Sequence, residues 1–523
     1  MFTTLYQRLN APKKSRIFWG TIFGVIWLVV NIYVISQTPE WNEKYITAYI
    51  LGNICMFVAA GYMTFVYRSA KQIYTISEEK VQRYYKLSTL ILGLALLLVP
   101  FFFMIHVPDT AHDWDFFVIF RDTMQLGGRT FNHLPMTEDK LLYFLRYPNN
   151  QFFGMLYNWL FAPFKTDSSR IIALTGFAAI LTSASVLASS LTVKKIADVK
   201  IAVLFNIVAF GFLPFYVYGA ELYTDTFSLP FVSFGLLFMV LAVKSDKVSR
   251  QISWWIAACI IAFVGYNIKP TVVFPMIAVF AFLVWNKKWT KILILLPISA
   301  VLFFGVHEGV KTVISTEPAF TQQANNRYNL PLMHWIAMSF APENKYGGFN
   351  PDVLAYSESF PNVAAKKAAD KKLFVTNLKK MGALGVANQL WRKIEYTWFN
   401  GDLSDFFYTY RHSNPLIFRY FDWTSFRPSE GNITGWLFIK SAQTLYWLAI
   451  VPLMFYEIFI AIFRKKGSLW FVPALSMVGL TAFLLMWEAN SRYLYNFAPL
   501  ILMLAVMGLL DFRAKLIEKL KEK

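Results

Sequence analysis

Charge is what this 523-residue sequence most lacks: Asp, Glu, Lys and Arg together make up 15% of it, against about 25% in ordinary soluble domains. Acid is scarcer than base, 31 Asp and Glu against 50 Lys and Arg, for a formal net charge of +19. Cysteine is almost absent, and both examples, Cys55 and Cys259, fall inside apolar runs. These shortages exclude several classes of protein. Two cysteines in apolar sequence build neither a disulfide framework nor a thiolate metal site, and they read as packing residues. No P-loop or dinucleotide fingerprint is present. The low charge density argues against a string of soluble domains, the ordinary expectation at this length. What is abundant is apolar: 56% hydrophobic and 18% aromatic residues. The basic excess lies in short clusters between apolar runs, so anionic membrane headgroups account for it, and no nucleic-acid partner is expected.

A bilayer crossing takes about 20 mostly apolar residues, and it must be a helix because lipid cannot satisfy the backbone. The first such run, Ile17–Ser36, follows a basic stretch with Arg8, Lys13, Lys14 and Arg16. It exceeds a signal-peptide core and predicts a retained span. About twelve runs meet the length criterion. The others are Ile46–Val66, Leu87–Ile105, Ile171–Leu191, Ile201–Tyr218, Phe227–Val243, Ile252–Tyr266, Thr271–Trp285, Ile292–Val306, Trp436–Phe463, Leu469–Trp487 and Tyr493–Leu510. The predicted fold class is therefore an all-α polytopic membrane protein. Its expected divisions are an N-terminal pair of spans (1–86), a core of spans (87–306), a long insertion (307–432) and a C-terminal group of spans with a basic tail (433–523).

Alternate short loops are basic. They carry Arg68, Lys71, Lys80, Arg83 and Lys86; Lys194, Lys195 and Lys200; Lys244, Lys247 and Arg250; Lys287, Lys288 and Lys291; and Arg464, Lys465 and Lys466. Loops of the other parity are acidic or nearly uncharged, with Glu40 and Glu43 against Lys44, and Glu221 and Asp225 with no base. The positive-inside rule then places both termini in the cytoplasm of a cell membrane. The same parity puts two long polar segments, 106–170 and 307–432, on the outer face, where long connections are usually functional. Within the first, Gln151–Phe164 is too short to span and is expected to lie in the interface. Within the second, Ala364–Lys372 reads as a surface helix with a solvated charged face.

Chemistry has to use groups at the outer face, because no short cytoplasmic loop can hold a nucleotide-binding domain. His106, Asp109, His112, Asp113, Trp114 and Asp115 open the first long segment. A single acid there would cap the following helix; several exceed that need, and Asp113 or Asp115 is a candidate general base. Glu221 and Asp225 sit at a span edge, where acids are costly and often mark sites, although charge bias alone also explains them. Lys269 stands between two spans on the side that disfavours bases. It reads either as snorkelling to headgroups or as contacting a lipid phosphate. Arg492 follows Glu488 by four positions, either an intrahelical pair or a guanidinium poised over a leaving phosphate. His334 and Trp335 read first as core residues and second as a shelf for a sugar ring.

The order of these motifs resembles the GT-C superfamily of membrane glycosyltransferases, near the bacterial protein-mannosyltransferase and aminoarabinose-transferase branch. The resemblance covers most of the chain from Leu87 onward. It rests on His112-Asp113-Trp114-Asp115 before a helix closed by Gly127, on Arg146-Tyr147-Pro148, on Thr224-Asp225, on Lys269-Pro270 and on Glu488 through Tyr493. It implies a GT-C-like bundle with two long external segments and a polyprenyl-phosphate sugar donor. Among membrane lipids, the sugar would pass to an extracytoplasmic glycan, lipid or protein acceptor by an inverting single displacement. Asp113, Asp115 and Asp225 would then be catalytic, and Lys269 and Arg492 would hold the donor phosphate. Glu221, Tyr147, His334, Trp335 and Glu488 would bind substrate, and Asp225 would orient the base or help hold a divalent cation (Mg or Mn). The spacing to Gly127 favours Asp113 over Asp115. The rival expectations are a transporter or flippase of lipid-linked sugars, which would need polar groups in mid-span, and a non-catalytic partner in envelope assembly.

Overall fold

An apolar run surrounded by lipid has one local solution, the helix, which closes every backbone hydrogen bond within itself. The computed structural model describes residues 12–37, 43–104, 114–344, 346–405, 433–465 and 467–521, and every regular element among them is helical. The membrane-length helices are α1 (Pro12–Gln37), α2 (Glu43–Gln72) and α3 (Glu78–Leu98). In the first long segment lie α4 (Asp115–Leu126) and α5 (Asn149–Phe161). There follow α6 (Asp167–Ile196), α7 (Val199–Phe210), α8 (Thr224–Lys244), α9 (Val248–Tyr266), α10 (Phe274–Trp285) and α11 (Trp289–Ser315). The second long segment contributes α12 (Leu332–Ser339) and α13 (Val363–Trp398). The chain ends in α14 (Ile433–Phe463), α15 (Phe471–Met486) and α16 (Ala498–Lys521).

Among the described residues eight helices are long and apolar enough to cross a membrane, or nine with the pair Val199–Phe210 and Pro214–Ala220, which is bent by 69°. The bend falls where Pro214, with no N–H to donate, opens the second half. Three shorter apolar helices, Phe23–Ser36, Pro270–Trp285 and Phe471–Met486, fall on the remaining runs expected from the sequence. Helix faces turned outward are apolar: on α11, Leu293 is 75%, Val301 72% and Phe304 64% exposed. A continuous surface of that kind would drive association in water and is what a hydrocarbon solvent accepts. Inside, Trp255, Trp447 and Tyr495 are fully buried between the helices.

The long segments fold as packed structure. Gly127 takes the left-handed conformation (φ 56°) that closes α4. Phe116, Phe120, Phe131, Phe144 and Phe153 form a core with Ile171, Leu222, Ile268 and Phe320. The helix expected to lie in the interface is α5, and most of its side chains are buried within the protein. The expected solvated helix proves to be the first third of α13, and its charges divide between two faces. Lys367, Lys371 and Lys372 are exposed, whereas Lys366 and Asp370 are buried. Lys366 Nζ donates to the carbonyls of Arg327 and Tyr328, both at 2.9 Å. Asp370 Oδ1 accepts from Ser357 Oγ at 2.7 Å. A Lys/Ala run hides this division because only tertiary partners select which charges turn inward. The two long segments are tied together by Arg146, whose Nη2 donates to Glu358 Oε2 at 2.9 Å.

Candidate active site

Three connections between spans and both long segments converge at one rim of the bundle. Asp225 lies in the first turn of α8, where the positive end of the helix favours a carboxylate. Lys269 precedes Pro270, which opens a short 3-10 turn. Arg492 lies in the 3-10 turn Ser491–Phe497, where Asn490 Oδ1 accepts from its backbone N at 3.0 Å. These three residues, 44 or more positions apart in sequence, form one cluster. Lys269 Nζ donates to Asp225 Oδ1, and Arg492 Nε stands 3.3 Å from Asp225 Oδ2. The guanidinium lies 4.5 Å from the ring centre of Trp114 and 5.0 Å from that of Tyr223. The ammonium lies 5.1 Å from the ring centre of Tyr493. Two cations and one carboxylate thus meet in a box of three aromatic faces. Burial lowers the Lys269 pKa, against the opposing pull of Asp225.

Asp115 is the first residue of α4 and is half-buried. Tyr223 Oη donates to its Oδ2 at 2.9 Å. Burial first, and the Asp115 carboxylate second, hold the Tyr223 phenol protonated far above its usual range, so it stays a donor to Asp115. Asp113 lies outside the described residues, as do His106, Asp109 and His112. Glu488 accepts from Tyr493 Oη at 3.2 Å; burial and then Asp115 push its carboxyl up to about 7. Glu221 is 1% exposed, and neither of its carboxyl oxygens has a hydrogen-bond partner among the described residues. Burial raises its pKa against the pull of Arg492.

The remaining sequence candidates separate. Tyr147 stands 5.6 Å from Trp335, ring centre to ring centre. His334, one residue earlier, meets the Trp335 ring edge-on at 5.1 Å but turns its polar edge inward. It is fully buried, with Nδ1 2.8 Å from Ser357 Oγ inside the second long segment. As for a divalent cation, Asp225 faces Lys269 and Arg492, which would repel one. Among the described residues no three His, Cys, Asp or Glu side chains group in a way that could hold a metal ion. The residues present do not fit such an ion at Asp225.

Several residues here carried no signal of their own in the sequence. Tyr223 sits between Glu221 and Asp225, and its role follows only from the contact with Asp115. Lys393, one of many lysines in α13, is 1% exposed. Its Nζ donates to the carbonyls of Leu485 at 2.6 Å and Trp487 at 2.7 Å, and to Ser339 Oγ at 3.1 Å. Beside it, Ala489 N donates to Gly347 O at 2.8 Å. Gly347 is required there, because its φ is 70° and a Cβ would lie 2.8 Å from Ser339 O. The second long segment therefore grips the backbone on both sides of Glu488.

A family described as conserved hypothetical integral membrane protein matches residues 14–511. No curated protein matches the sequence. Among solved structures, the chain is similar to ArnT from Cupriavidus metallidurans bound to undecaprenyl phosphate, at 10% identity and a TM-score of 0.34, over 80% of this chain and 76% of that one. It is also similar to the archaeal oligosaccharyltransferase AglB from Archaeoglobus fulgidus in complex with an inhibitory peptide and a dolichol-phosphate. There the identity is 15% and the TM-score 0.39, over 80% of this chain and 50% of that one, so this chain spans half the length of AglB. At such identities and TM-scores, what those proteins bind is theirs alone, and the residues of the rim bear on function.

Proposed function

The chain belongs to the family of conserved hypothetical integral membrane proteins, and from that premise we propose that it transfers a sugar from a polyprenyl-phosphate donor to a hydroxyl acceptor at the extracytoplasmic face. The observation that carries the reading is the convergence of Lys269 and Arg492 on Asp225, beside Asp115. Two buried cations meet on Asp225 among aromatic faces. A pair of fixed cations at the rim of a membrane bundle suits an anion brought by a lipid. The polyprenyl chain would lie along the apolar exterior, and its phosphate would enter the box. The GT-C resemblance of the motifs supplies the donor class.

In this reading Asp115, oriented by the Tyr223 hydroxyl, takes the proton from the acceptor hydroxyl. The freed oxygen attacks the anomeric carbon on the face opposite the phosphate. The new carbon–oxygen bond forms as the anomeric carbon–phosphate oxygen bond breaks, and the configuration inverts. The electron pair leaves with the polyprenyl phosphate, where Lys269 and Arg492 meet the developing charge. Asp225 holds the two cations apart and aimed. Asp113 precedes Asp115 by two positions and is tested beside it. Tyr147, Trp335 and Glu488 line the acceptor side, and the buried Glu221 acts on the site only through the charge of Arg492.

The test is a transfer assay in proteoliposomes with labelled polyprenyl-phosphate sugars and the single and double variants Asp113→Asn and Asp115→Asn. Loss of product in the double variant, with donor binding retained, is the expected result; undiminished transfer in it rejects the base. Movement of the labelled lipid across the bilayer with no covalent product would favour a carrier. Envelope glycosylation that survives substitution of all these acids would favour a non-catalytic partner.

A further inference from the structure

Three aromatic side chains from three separate parts of the chain form a row next to the carboxylates. Tyr147 comes from the first long segment, Trp335 from α12 in the second, and Trp487 from the end of α15. Ring centres are 5.6 Å apart at each step, and the planes are tilted by 32° at both. All three residues are half-buried. Behind Trp487, Phe483 stacks at 5.2 Å and fixes one end.

The row adjoins the box without belonging to it. Glu488 follows Trp487 directly and accepts from Tyr493, one wall of the box. Asp115 accepts from Tyr223, another wall. Both carboxylates are among the charges acting on the Tyr147 hydroxyl. Each acid is therefore bonded to a wall of the box and acts on the row as well. A lipid phosphate would be repelled by Glu488 and Asp115, and an acyl chain has no use for them. A sugar ring suits both features: its C–H face packs on an aromatic ring, and its hydroxyls donate to carboxylates at the edge.

We propose that Tyr147, Trp335 and Trp487 form the acceptor subsite and that the acceptor is a saccharide chain, its rings lying on this row with a hydroxyl presented to Asp115. The proposal rests on the transferase reading for the role of acceptor, but not for the binding itself. Lys393 and Gly347 position this subsite, since they hold the backbone of Leu485, Trp487 and Ala489. The second long segment thus supplies Trp335 and anchors Trp487.

The test uses the full chain in lipid nanodiscs, titrated with linear tri- to pentasaccharides of glucose, mannose, galactose and N-acetylglucosamine and followed by tryptophan fluorescence. Saturable binding is expected. Trp335→Ala should weaken it by about 2- to 10-fold, the range for one lost aromatic contact, and Trp335→Phe should restore most of it. Binding of polyprenyl phosphate should be equal in all three proteins, which also reports folding. No saturable binding of any saccharide, or equal binding in Trp335→Ala, overturns the subsite. The two readings fail separately. Saccharide binding that depends on Trp335 but yields no transfer leaves the subsite standing and sinks the transferase. Transfer to a lipid or peptide hydroxyl without saccharide binding does the reverse.

Discussion

Replacing Lys269 with Met separates a catalytic cation from a structural one. Asp225 is 2% exposed and is held by two cations. In Lys269→Met it keeps Arg492 at 3.3 Å and the positive end of α8, so the carboxylate is not stranded. Methionine occupies similar volume, and the stability cost should be small. The box, however, loses one of its two cations. A unit charge about 4 Å from a developing phosphate oxyanion is worth about 4 kcal/mol at an effective dielectric constant of about 20. Loss of one oxyanion donor in other enzymes costs about 2.7–4 kcal/mol. Transfer by Lys269→Met should therefore fall by about 10²–10³-fold in single-turnover assays with a labelled donor in proteoliposomes, while thermal unfolding shifts little. Lys269→Arg, which keeps the charge but not the shape, should recover part of the rate. Asp225→Asn is the contrasting control: it leaves two buried cations side by side and should cost about 3–5 kcal/mol of stability. A Lys269→Met protein that transfers within about threefold of wild type would refute the leaving-group role, since the loss argued from an oxyanion contact is at least about 10²-fold.

Asp115→Asn should reduce transfer by about 10²–10⁴-fold, the range for a lost general base, with donor affinity unchanged. Tyr223→Phe should produce a smaller loss of the same kind, read as a lower rate at constant donor KM. Glu488, pushed up to about 7 by burial and Asp115, keeps in the folded state a proton that the unfolded chain releases near its ordinary 4.5. Its raised pKa therefore costs stability as pH rises between those values, and the penalty stays constant above them. Glu488→Gln should be more stable than wild type at pH 8 by about 1–3 kcal/mol, the gap closing as pH falls from about 7 to about 4.5 in thermal unfolding. Ser357→Ala removes the hydroxyl that bonds both His334 and Asp370. It should cost about 1–3 kcal/mol in the same measurement, because both partners stay buried.

The spans could be read from the sequence because lipid imposes one rule on every crossing: a long apolar run reads the same whatever surrounds it. Asp225, Lys269 and Arg492 stood out as charged residues at span ends, Lys269 most of all because it lies on the side that disfavours bases. Their mutual pairing could not be read. In sequence Arg492 is four places from Glu488, the spacing of a helical ion pair. The structure has no helix there: Trp487 leaves α15 with extended backbone (φ −93°, ψ 173°), and the change of direction sends Arg492 to Asp225. Lys393 and the buried pair Lys366 and Asp370 were hidden differently. They lie in a helix crowded with lysine, and only tertiary contacts distinguish them from solvated neighbours: backbone carbonyls for the two lysines and the Ser357 hydroxyl for Asp370.

Burial of this cluster is itself an argument for a ligand. Arg492 is 4% and Asp225 2% exposed, and taking such ions out of water costs several kcal/mol each. An apolar cluster of the same size would pack the rim without that cost, so stability alone gives no reason for buried ions there. Two fixed cations side by side are useful to an anion that arrives between Trp114, Tyr223 and Tyr493. A polyprenyl phosphate departing from a sugar is such an anion: it enters with one negative charge and gains a second as the bond breaks, when fixed cations stabilise it most.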